Sequence, residues 1–251
     1  VVMRLLPYQI PSPDEIDLYP SVVERFKKLN HGLVLLIGPT GSGKSTTIAS
    51  LIQARMEEIP ENIITIEDPI EYVYKQDSIS NIFQREVGRN CHSFGRGLRD
   101  ALRQAPHLIM IGEIRDDETA MTALKAAESG HVVVSTIHAH SVDQACLRFI
   151  KLLANYNPEN VCDALAGTLQ LAMAQTLVYN PELKRRVSLH EVMFMTSAIG
   201  AHIRAQKFER VPNELIIGSR RGQISWERSV EERIAQGLLP PNFEAGNRLA
   251  S

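Results

Sequence analysis

Short apolar runs alternate with amphipathic helical patterns through the middle of the chain. The apolar runs are LVLLI, IITI, LIMI and VVVST, and the helices predicted after them span 44–57, 95–104, 117–128 and 141–152. A long insertion separates the second run from its helix. Continuous apolar runs are typical of parallel strands that helices cover on both faces. The pattern therefore predicts an α/β fold with a mostly parallel sheet.

The two ends of the chain have different patterns. VVMRLLP resembles a strand, and the proline-rich and acidic stretch after it reads as a linker, so we place a boundary near residue 11. Toward the other end, 158–176 has helical spacing, 187–195 is strand-like and 196–237 reads as a small helical module. We expect three parts: the end of an N-terminal domain with its linker (1–30), the core (31–195), and the helical module with a tail (196–251).

Composition narrows the classes of partner. The 251 residues are 44% hydrophobic with a formal net charge of -2 and no run of five basic residues, so nucleic acid is not an expected partner. The three cysteines form no CxxC pair, which excludes a four-thiolate zinc site and fits a reducing cytoplasm. No apolar stretch approaches the roughly 20 residues of a membrane span. We expect a cytoplasmic chain that could dock peripherally on a membrane machine.

The first apolar run continues directly into the glycine-rich stretch GPTGSGKST. Its spacing of Gly38, four residues, Gly43, Lys44 and Ser45 is that of a phosphate-binding loop. Backbone N–H groups of such a loop surround phosphate oxygens, while the lysine reaches the β and γ phosphates and the hydroxyl binds Mg²⁺. The predicted nucleotide-binding residues are Gly38, Pro39, Thr40, Gly41, Ser42, Gly43, Lys44, Ser45 and Thr46.

Polar residues follow the other three apolar runs. Glu67 and Asp68 follow the second, Glu113 follows the third, and His138 comes two residues after the fourth. Ligands of open α/β sheets bind outside the carboxyl ends of the strands, so these groups are expected around the terminal phosphate.

One carboxylate could hold the water shell of Mg²⁺ while another orients and deprotonates the attacking water. We predict Glu67, Glu113 and His138 as catalytic residues, and Ser45, Asp68 and Glu113 as metal ligands. Each acid could instead cap a helix or form a surface ion pair, and His138 could be a structural histidine.

Five ordered motifs resemble a known family. They are GPTGSGKST, ITIEDPIEY, QREVGR, ALRQAPHLIMIGEIRD and AAESGHVVVSTIH, and together they resemble the type II and type IV secretion ATPase superfamily, especially its PilT-like retraction motors. The resemblance assigns the Walker A motif to Gly38–Thr46, the Asp box to Glu67, Asp68 and Glu71, the Walker B motif to Gly112 and Glu113, and the His box to His131 and His138.

The resemblance implies an Mg²⁺-dependent ATPase with a RecA-like core. Such motors form hexameric rings, bind ATP between subunits, and power pilus retraction or related type IV pilus and secretion machinery at an inner-membrane platform protein. Members usually carry an N-terminal PAS-like domain, and from the resemblance we expect VVMRLLP to be its last strand, with the rest of that domain largely outside this sequence. Ring ATPases often lend an arginine to the nucleotide, so Arg85 is a catalytic candidate; for Arg85 and Arg89, an ion pair with Glu86 is the alternative.

Departures from the family pattern leave two questions open. Retraction motors carry the C-terminal signature AIRNLIRE, and this chain has AIGAHIRA in its place. The sequence therefore does not decide between a role in retraction and a role in extension or secretion. The second question is whether the chain is a motor or a nucleotide-gated ring scaffold or assembly ATPase with low turnover. Retention of both Glu67 and Glu113 favours the motor. A RecA-type nucleic-acid motor remains possible on the fold, although the charge balance disfavours it.

Overall fold

The computed structural model describes residues 9–75 and 78–243, so the strand predicted for VVMRLLP lies outside the described residues. The strands are β1 (Gly32–Ile37), β2 (Asn62–Glu67), β3 (Asn81–Glu86), β4 (Leu108–Ile111), β5 (Val132–Ile137), β6 (Leu169–Asn180) and β7 (Arg185–Phe194). Within the described part of the chain, they form one seven-stranded sheet in the order β3-β2-β4-β5-β1-β6-β7.

The strand pairing confirms the predicted fold class. β2 pairs in parallel with β3 and β4, and β4 pairs in parallel with β5. β6 and β7 pair in an antiparallel arrangement. Every residue of β1, β4 and β5 is buried, which explains why these strands read as unbroken apolar runs. The chain therefore has a mixed α/β fold with a mostly parallel sheet.

Helices follow the strands as the sequence predicts. They are α1 (Pro20–Lys27), α2 (Lys44–Met56), α3 (Phe94–Ala101), α4 (Asp117–Glu128), α5 (Val142–Leu152), α6 (Pro158–Thr168), α7 (Ser197–Arg204), α8 (Val211–Ile217) and α9 (Trp226–Ala235). The predictions for α2, α4 and α5 are confirmed within about a residue at each end. The helix predicted over 95–104 is α3 followed by a short 3₁₀ turn.

The described residues divide into two compact units, of which the first contains those up to Val34 together with Ser45–Thr136. Its parallel strands keep their carboxyl ends at one edge, because Ile66 of β2 is in register with Ile111 of β4. The Gly112 N–H then donates to the Ile66 carbonyl oxygen at 2.8 Å, which extends the ladder by one residue.

A fully buried arginine joins several elements of the first unit. The Arg55 guanidinium, at the end of α2, donates to the Glu61 carboxylate and to the carbonyl oxygens of Phe26, Lys27 and Leu29. Its side chain is 1% exposed and that of Glu61 is 9% exposed. Charge pairing together with several hydrogen bonds is what allows an arginine to be buried in a protein interior.

The second unit contains Leu35–Lys44 and the described residues from Ile137 onward. β6 and β7 form a long antiparallel pair, with Leu171 in register with Phe194. α9 packs on β7 through an apolar cluster of Val187, Leu189, Val230 and Leu239. The residues predicted as a small helical module contain α7, α8 and α9, while the division of the chain into three domains stays a prediction.

Two predictions of local structure are wrong. The helix predicted over 158–176 ends at Thr168, and LQLAMAQTLV belongs to strand β6. Small and apolar residues in that stretch satisfy helical and strand spacing equally, so periodicity could not separate the two. The insertion after β2 contains β3, a strand with mostly polar residues that periodicity did not identify.

Candidate functional site

The phosphate-binding loop lies between β1 and α2. Gly38, Gly41 and Gly43 have φ values of 154°, 81° and 90°, a range that favours glycine over residues with a Cβ. The Lys44 ammonium, 9% exposed, donates to the carbonyl oxygens of Gly38 and Pro39, each at 2.8 Å. The lysine thus lies against the loop that its motif predicts.

Gln175 supports this loop from β6. Its side-chain amide donates to the Ser42 carbonyl oxygen at 2.8 Å. A Cβ at Gly38 would lie 2.5 Å from the Gln175 carbonyl oxygen, and one at Gly43 would lie 2.7 Å from the Gln175 side-chain nitrogen. The Gln175 backbone therefore leaves no room for a side chain at Gly38, while at Gly43 the positive φ disfavours any residue with a Cβ.

His138 follows β5 and faces a groove beside the loop. The groove has a volume of about 550 Å³, and its lining residues are Pro39, Thr40, His138, Ala139, His140, Gln144, Leu147, Arg148 and Lys151. His138 therefore shares one cavity with the loop residues Pro39 and Thr40. Contact of His138 with a bound phosphate group stays a prediction.

In the first unit, Glu67 and Glu113 lie at the same edge of the sheet. Glu67 is the last residue of β2, and Glu113 follows the neighbouring β4 by two residues. The hydrogen bond between Gly112 N–H and the Ile66 carbonyl holds the two strand ends side by side. Parallel pairing places both residues at this edge of the sheet. Their convergence on one phosphate group stays a prediction.

Glu67 is a buried carboxylate. It is 7% exposed, and its Oε1 accepts hydrogen bonds from Thr65 Oγ1 at 2.6 Å and from Gln84 Nε2 at 3.1 Å. Burial raises the pKa of Glu67 because it removes water from the charged form, and the hydrogen bonds from Thr65 and Gln84 partly oppose that rise. A buried acid with a raised pKa at a strand end is a group able to accept and release a proton.

Glu113 is paired with Arg115. The Arg115 guanidinium lies 2.6 Å from Glu113 Oε2, and this hydrogen bond, with the charges of Glu113 and Asp68, raises the pKa of Arg115. Asp68 is exposed, while the Glu113 side chain is 15% exposed. Two carboxylates predicted as metal ligands therefore lie close enough to one guanidinium to stabilise its charge.

A tyrosine links the start of α2 to the segment after Asp68. The hydroxyls of Thr46 and Tyr72 lie 2.8 Å apart, a hydrogen-bond distance. Ser45, the predicted Mg²⁺ ligand that precedes Thr46, is half-buried. Glu71, which the family resemblance places in the Asp box, is also half-buried and contributes a backbone hydrogen bond to Glu67.

The oxygen donors predicted for Mg²⁺ suit that ion. A hydroxyl from Ser45 and carboxylates from Asp68 and Glu113 are the hard ligands that Mg²⁺ prefers, usually together with water and phosphate oxygens. Among the described residues, no three His, Cys, Asp or Glu side chains are grouped to hold a metal ion by themselves.

The remaining candidates have local partners. Arg89 forms an ion pair with Glu86 at 2.9 Å, as the alternative interpretation expects. Nδ1 of His131 lies 3.1 Å from both Ser129 Oγ and the Ala126 carbonyl oxygen, so the ring is within hydrogen-bond distance of the C-terminal turn of α4. Burial raises the pKa of the Cys91 thiol, and the charge of Arg85, on β3, partly opposes that rise. A catalytic role for Arg85 stays a prediction.

The chain belongs to the family described as "Type II/IV secretion system protein", whose model matches residues 1–217. This confirms the family that the motifs predict. A protein of Escherichia coli (strain K12) named "Uncharacterized protein YggR" is 37% identical over 239 residues, which cover 95% of this chain and 72% of that protein.

Relatives with names that describe an activity are similar to the same extent. "Type IV pilus retractation ATPase PilT" of Pseudomonas aeruginosa is 35% identical over 238 residues, covering 95% of this chain and 68% of that protein. A crystal structure titled "Crystal Structure of the Pilus Retraction Motor PilT and Bound ADP" is 37% identical with a TM-score of 0.79, covering 95% of this chain and 70% of that one. These similarities support the motor interpretation over the scaffold alternative.

Four residues around the predicted site were not identified from the sequence. They are Thr65, Tyr72, Gln84 and Gln175. A glutamine within the apolar stretch LAMAQTLV was a usable signal, because a buried amide needs hydrogen-bond partners. Thr65, Tyr72 and Gln84 lie within the family motifs ITIEDPIEY and QREVGR, but nothing in these motifs marked them as partners of Glu67 or of the phosphate-binding loop.

Proposed function

We propose that the chain is the ATP-hydrolysing core of a ring-forming motor that powers pilus retraction or related type IV pilus or secretion machinery. Membership of a secretion-system family and similarity to named retraction ATPases support this proposal. The observation on which it depends is the loop at Gly38–Gly43, with Lys44 held by the carbonyl oxygens of Gly38 and Pro39.

In this proposal, the loop binds the phosphates of ATP. The backbone N–H groups surround the phosphate oxygens, and Lys44 leaves the loop carbonyls to contact the β and γ phosphates. Mg²⁺, held by Ser45, Asp68 and Glu113, would neutralise phosphate charge. His138, beside the loop in the same groove, would hydrogen-bond the terminal phosphate.

Hydrolysis requires a water molecule that attacks the terminal phosphorus. The water oxygen forms a bond to phosphorus, the bond between that phosphorus and the bridging oxygen to ADP breaks, and a carboxylate takes the proton of the water. We assign this work to Glu67 and Glu113, one accepting the proton and the other holding the metal shell. Arg85 of a neighbouring subunit would offset charge in the transition state.

Beyond the catalytic core, we propose a hexameric homo-oligomer that acts on a membrane platform protein from the cytoplasmic side. No helix among residues 9–75 and 78–243 is long and apolar enough to cross a membrane.

The test is phosphate release from ATP by the purified chain with Mg²⁺. We expect Lys44→Ala to lower the rate at least 100-fold, because the transferred phosphoryl group loses its charge partner. The control is Lys28→Ala, which removes a lysine whose side chain is 78% exposed and is expected to retain wild-type turnover. Equal rates for wild type and Lys44→Ala would contradict the proposal.

A further inference from the structure

Both the oxygen and the nitrogen of the Gln84 side-chain amide form hydrogen bonds, to the buried Glu67 carboxylate and to the segment that follows it. It lies on β3 in register with Thr65 of β2, so both side chains lie next to the end of β2. Its Nε2 donates to Glu67 Oε1 at 3.1 Å and to the Tyr72 carbonyl oxygen at 2.8 Å. Its Oε1 accepts from the Tyr74 N–H at 3.2 Å.

These bonds connect the acid to the segment that follows it. Gln84 holds the backbone of Tyr72 and Tyr74 on one side and the Glu67 carboxylate on the other. The Tyr72 hydroxyl in turn lies 2.8 Å from that of Thr46, in the phosphate-loop motif. One amide therefore joins the predicted catalytic acid, the Asp-box segment and the first turn of α2.

A carboxylate or a hydrocarbon at position 84 would lose hydrogen bonds that the amide forms. A carboxylate at position 84 would keep the acceptor for Tyr74 but would lose both donated bonds and face the Glu67 charge at contact distance. A hydrocarbon would leave Glu67 with the Thr65 hydroxyl as its remaining side-chain donor. Since Glu67 is 7% exposed, water could not fully replace the lost bond.

We propose that Gln84 is a positioning residue for ATP hydrolysis, which holds the Glu67 carboxylate in its working orientation and fixes the Tyr72–Tyr74 segment against it. The inference rests on the proposed function, because it assumes that ionised Glu67 takes part in the reaction. Gln84 itself touches no reacting atom in this account.

The test measures kcat and KM for ATP in the full chain, comparing wild type with Gln84→Met. We expect kcat to fall about tenfold or more, because the hydrogen bonds to the Glu67 carboxylate, the Tyr72 carbonyl oxygen and the Tyr74 N–H are all lost. KM should change less than about twofold, because binding of ATP is assigned to the phosphate-binding loop.

Two further variants sharpen the result. Gln84→Glu is nearly isosteric and should lower kcat by more than Gln84→Met does, because its carboxylate would face the Glu67 carboxylate at the position of the present hydrogen bond. It also provides the decisive measurement should Gln84→Met fail to fold, as judged by thermal melting. The matched control is Asn81→Leu, which removes an exposed amide from the same strand and should leave kcat and KM unchanged.

Glu67→Gln separates failure of this inference from failure of the proposed function. If Glu67→Gln abolishes turnover while both Gln84 variants match wild type, the positioning role is wrong and the proposed function stands. A fall in kcat accompanied by a rise in KM of the same size would assign Gln84 a purely structural role and also overturn the inference. If Glu67→Gln retains full activity, the proposed role of Glu67 fails and the positioning role fails with it.

Discussion

At the residue scale, the polar groups of the site each have hydrogen-bond or ion-pair partners within the protein. Lys44 lies against two loop carbonyls, Glu67 accepts two side-chain hydrogen bonds, and Glu113 pairs with Arg115. These partners replace part of the hydration that each group loses on burial. Binding of a nucleotide would exchange some of these partners for phosphate oxygens.

Arg55 provides a direct test of this compensation, away from the proposed chemistry. We expect Arg55→Met to lower the free energy of unfolding by about 3 to 5 kcal/mol, because Glu61 is left as a buried carboxylate without its charge partner. Urea unfolding measures the loss. The double variant Arg55→Met/Glu61→Met should recover part of it, since the unpaired charge is then gone.

The control for this prediction is an exposed ion pair. Arg96, 60% exposed, pairs with Asp100 in α3, and Arg96→Met should cost no more than about 1 kcal/mol. If Arg55→Met is no more costly than Arg96→Met, the buried cluster does not stabilise the first unit as described.

His190 predicts a dependence of stability on pH. Burial, with a smaller contribution from the Arg233 charge, lowers the pKa of His190 to about 3, while an unfolded histidine has a pKa of about 6.5. Below about pH 6.5 the unfolded state binds a proton that the folded state does not, so stability falls as pH decreases toward 3. Above about pH 6.5 the unfolded histidine is also neutral, so His190 no longer lowers the free energy of unfolding.

We therefore compare wild type with His190→Leu in urea at pH 7 and pH 5. The free energy of unfolding of wild type relative to the variant should fall by about 2 kcal/mol between the two conditions. His140→Leu, at an exposed position, should show no such change relative to wild type. A wild-type-to-variant difference that stays constant with pH would contradict the buried neutral state of His190.

Some residues of the site can be predicted from the sequence and others cannot. Lys44, Glu67 and Glu113 were identifiable because motif spacing or a position after an apolar run marks them. Gln84 and Gln175 contact these groups from strands that were not predicted, and their partners are distant in the sequence. Motif spacing is local, whereas supporting hydrogen bonds arise only from strand register.

At the element scale, apolar runs flanked by helices were enough to predict the parallel strands. β1, β4 and β5 are buried along their whole length, so their composition reflects one environment. β3 reads NIFQRE and contains only two apolar residues, and β6 mixes small residues with apolar ones. Neither gives a pattern that distinguishes strand from the alternatives, so both were missed.

Helix α6 offers a test of how local sequence fixes an element. Asn157 caps its first turn, because the side-chain oxygen accepts from the backbone N–H groups of Glu159 and Asn160. We expect Asn157→Ala to lower the free energy of unfolding by about 1 kcal/mol. Thermal or urea unfolding gives the measurement.

Asn160→Ala is the matched control for the cap. Asn160 lies within the first turn of α6 and is exposed, so alanine there should be neutral or slightly stabilising. Equal losses at positions 157 and 160 would mean that the cap does not determine where α6 begins.

At the scale of the whole molecule, the proposal concerns assembly. Ring motors place nucleotide between subunits, so nucleotide binding and association should be coupled. We expect the chain to reach a hexameric mass by light scattering with Mg²⁺ and a nonhydrolysable ATP analogue. Lys44→Ala should remain at lower mass under the same conditions. A monomer with and without the analogue would contradict the ring.

The central claim is that acids at the strand ends turn a phosphate-binding loop into a hydrolase. Its most direct test is phosphate release from ATP by wild type and Glu113→Gln, with binding of the nonhydrolysable analogue measured alongside. We predict that Glu113→Gln binds the analogue as wild type does while its turnover falls at least 100-fold, and that Glu128→Gln, at an exposed position in α4, retains wild-type turnover. Equal turnover for wild type and Glu113→Gln would contradict the account.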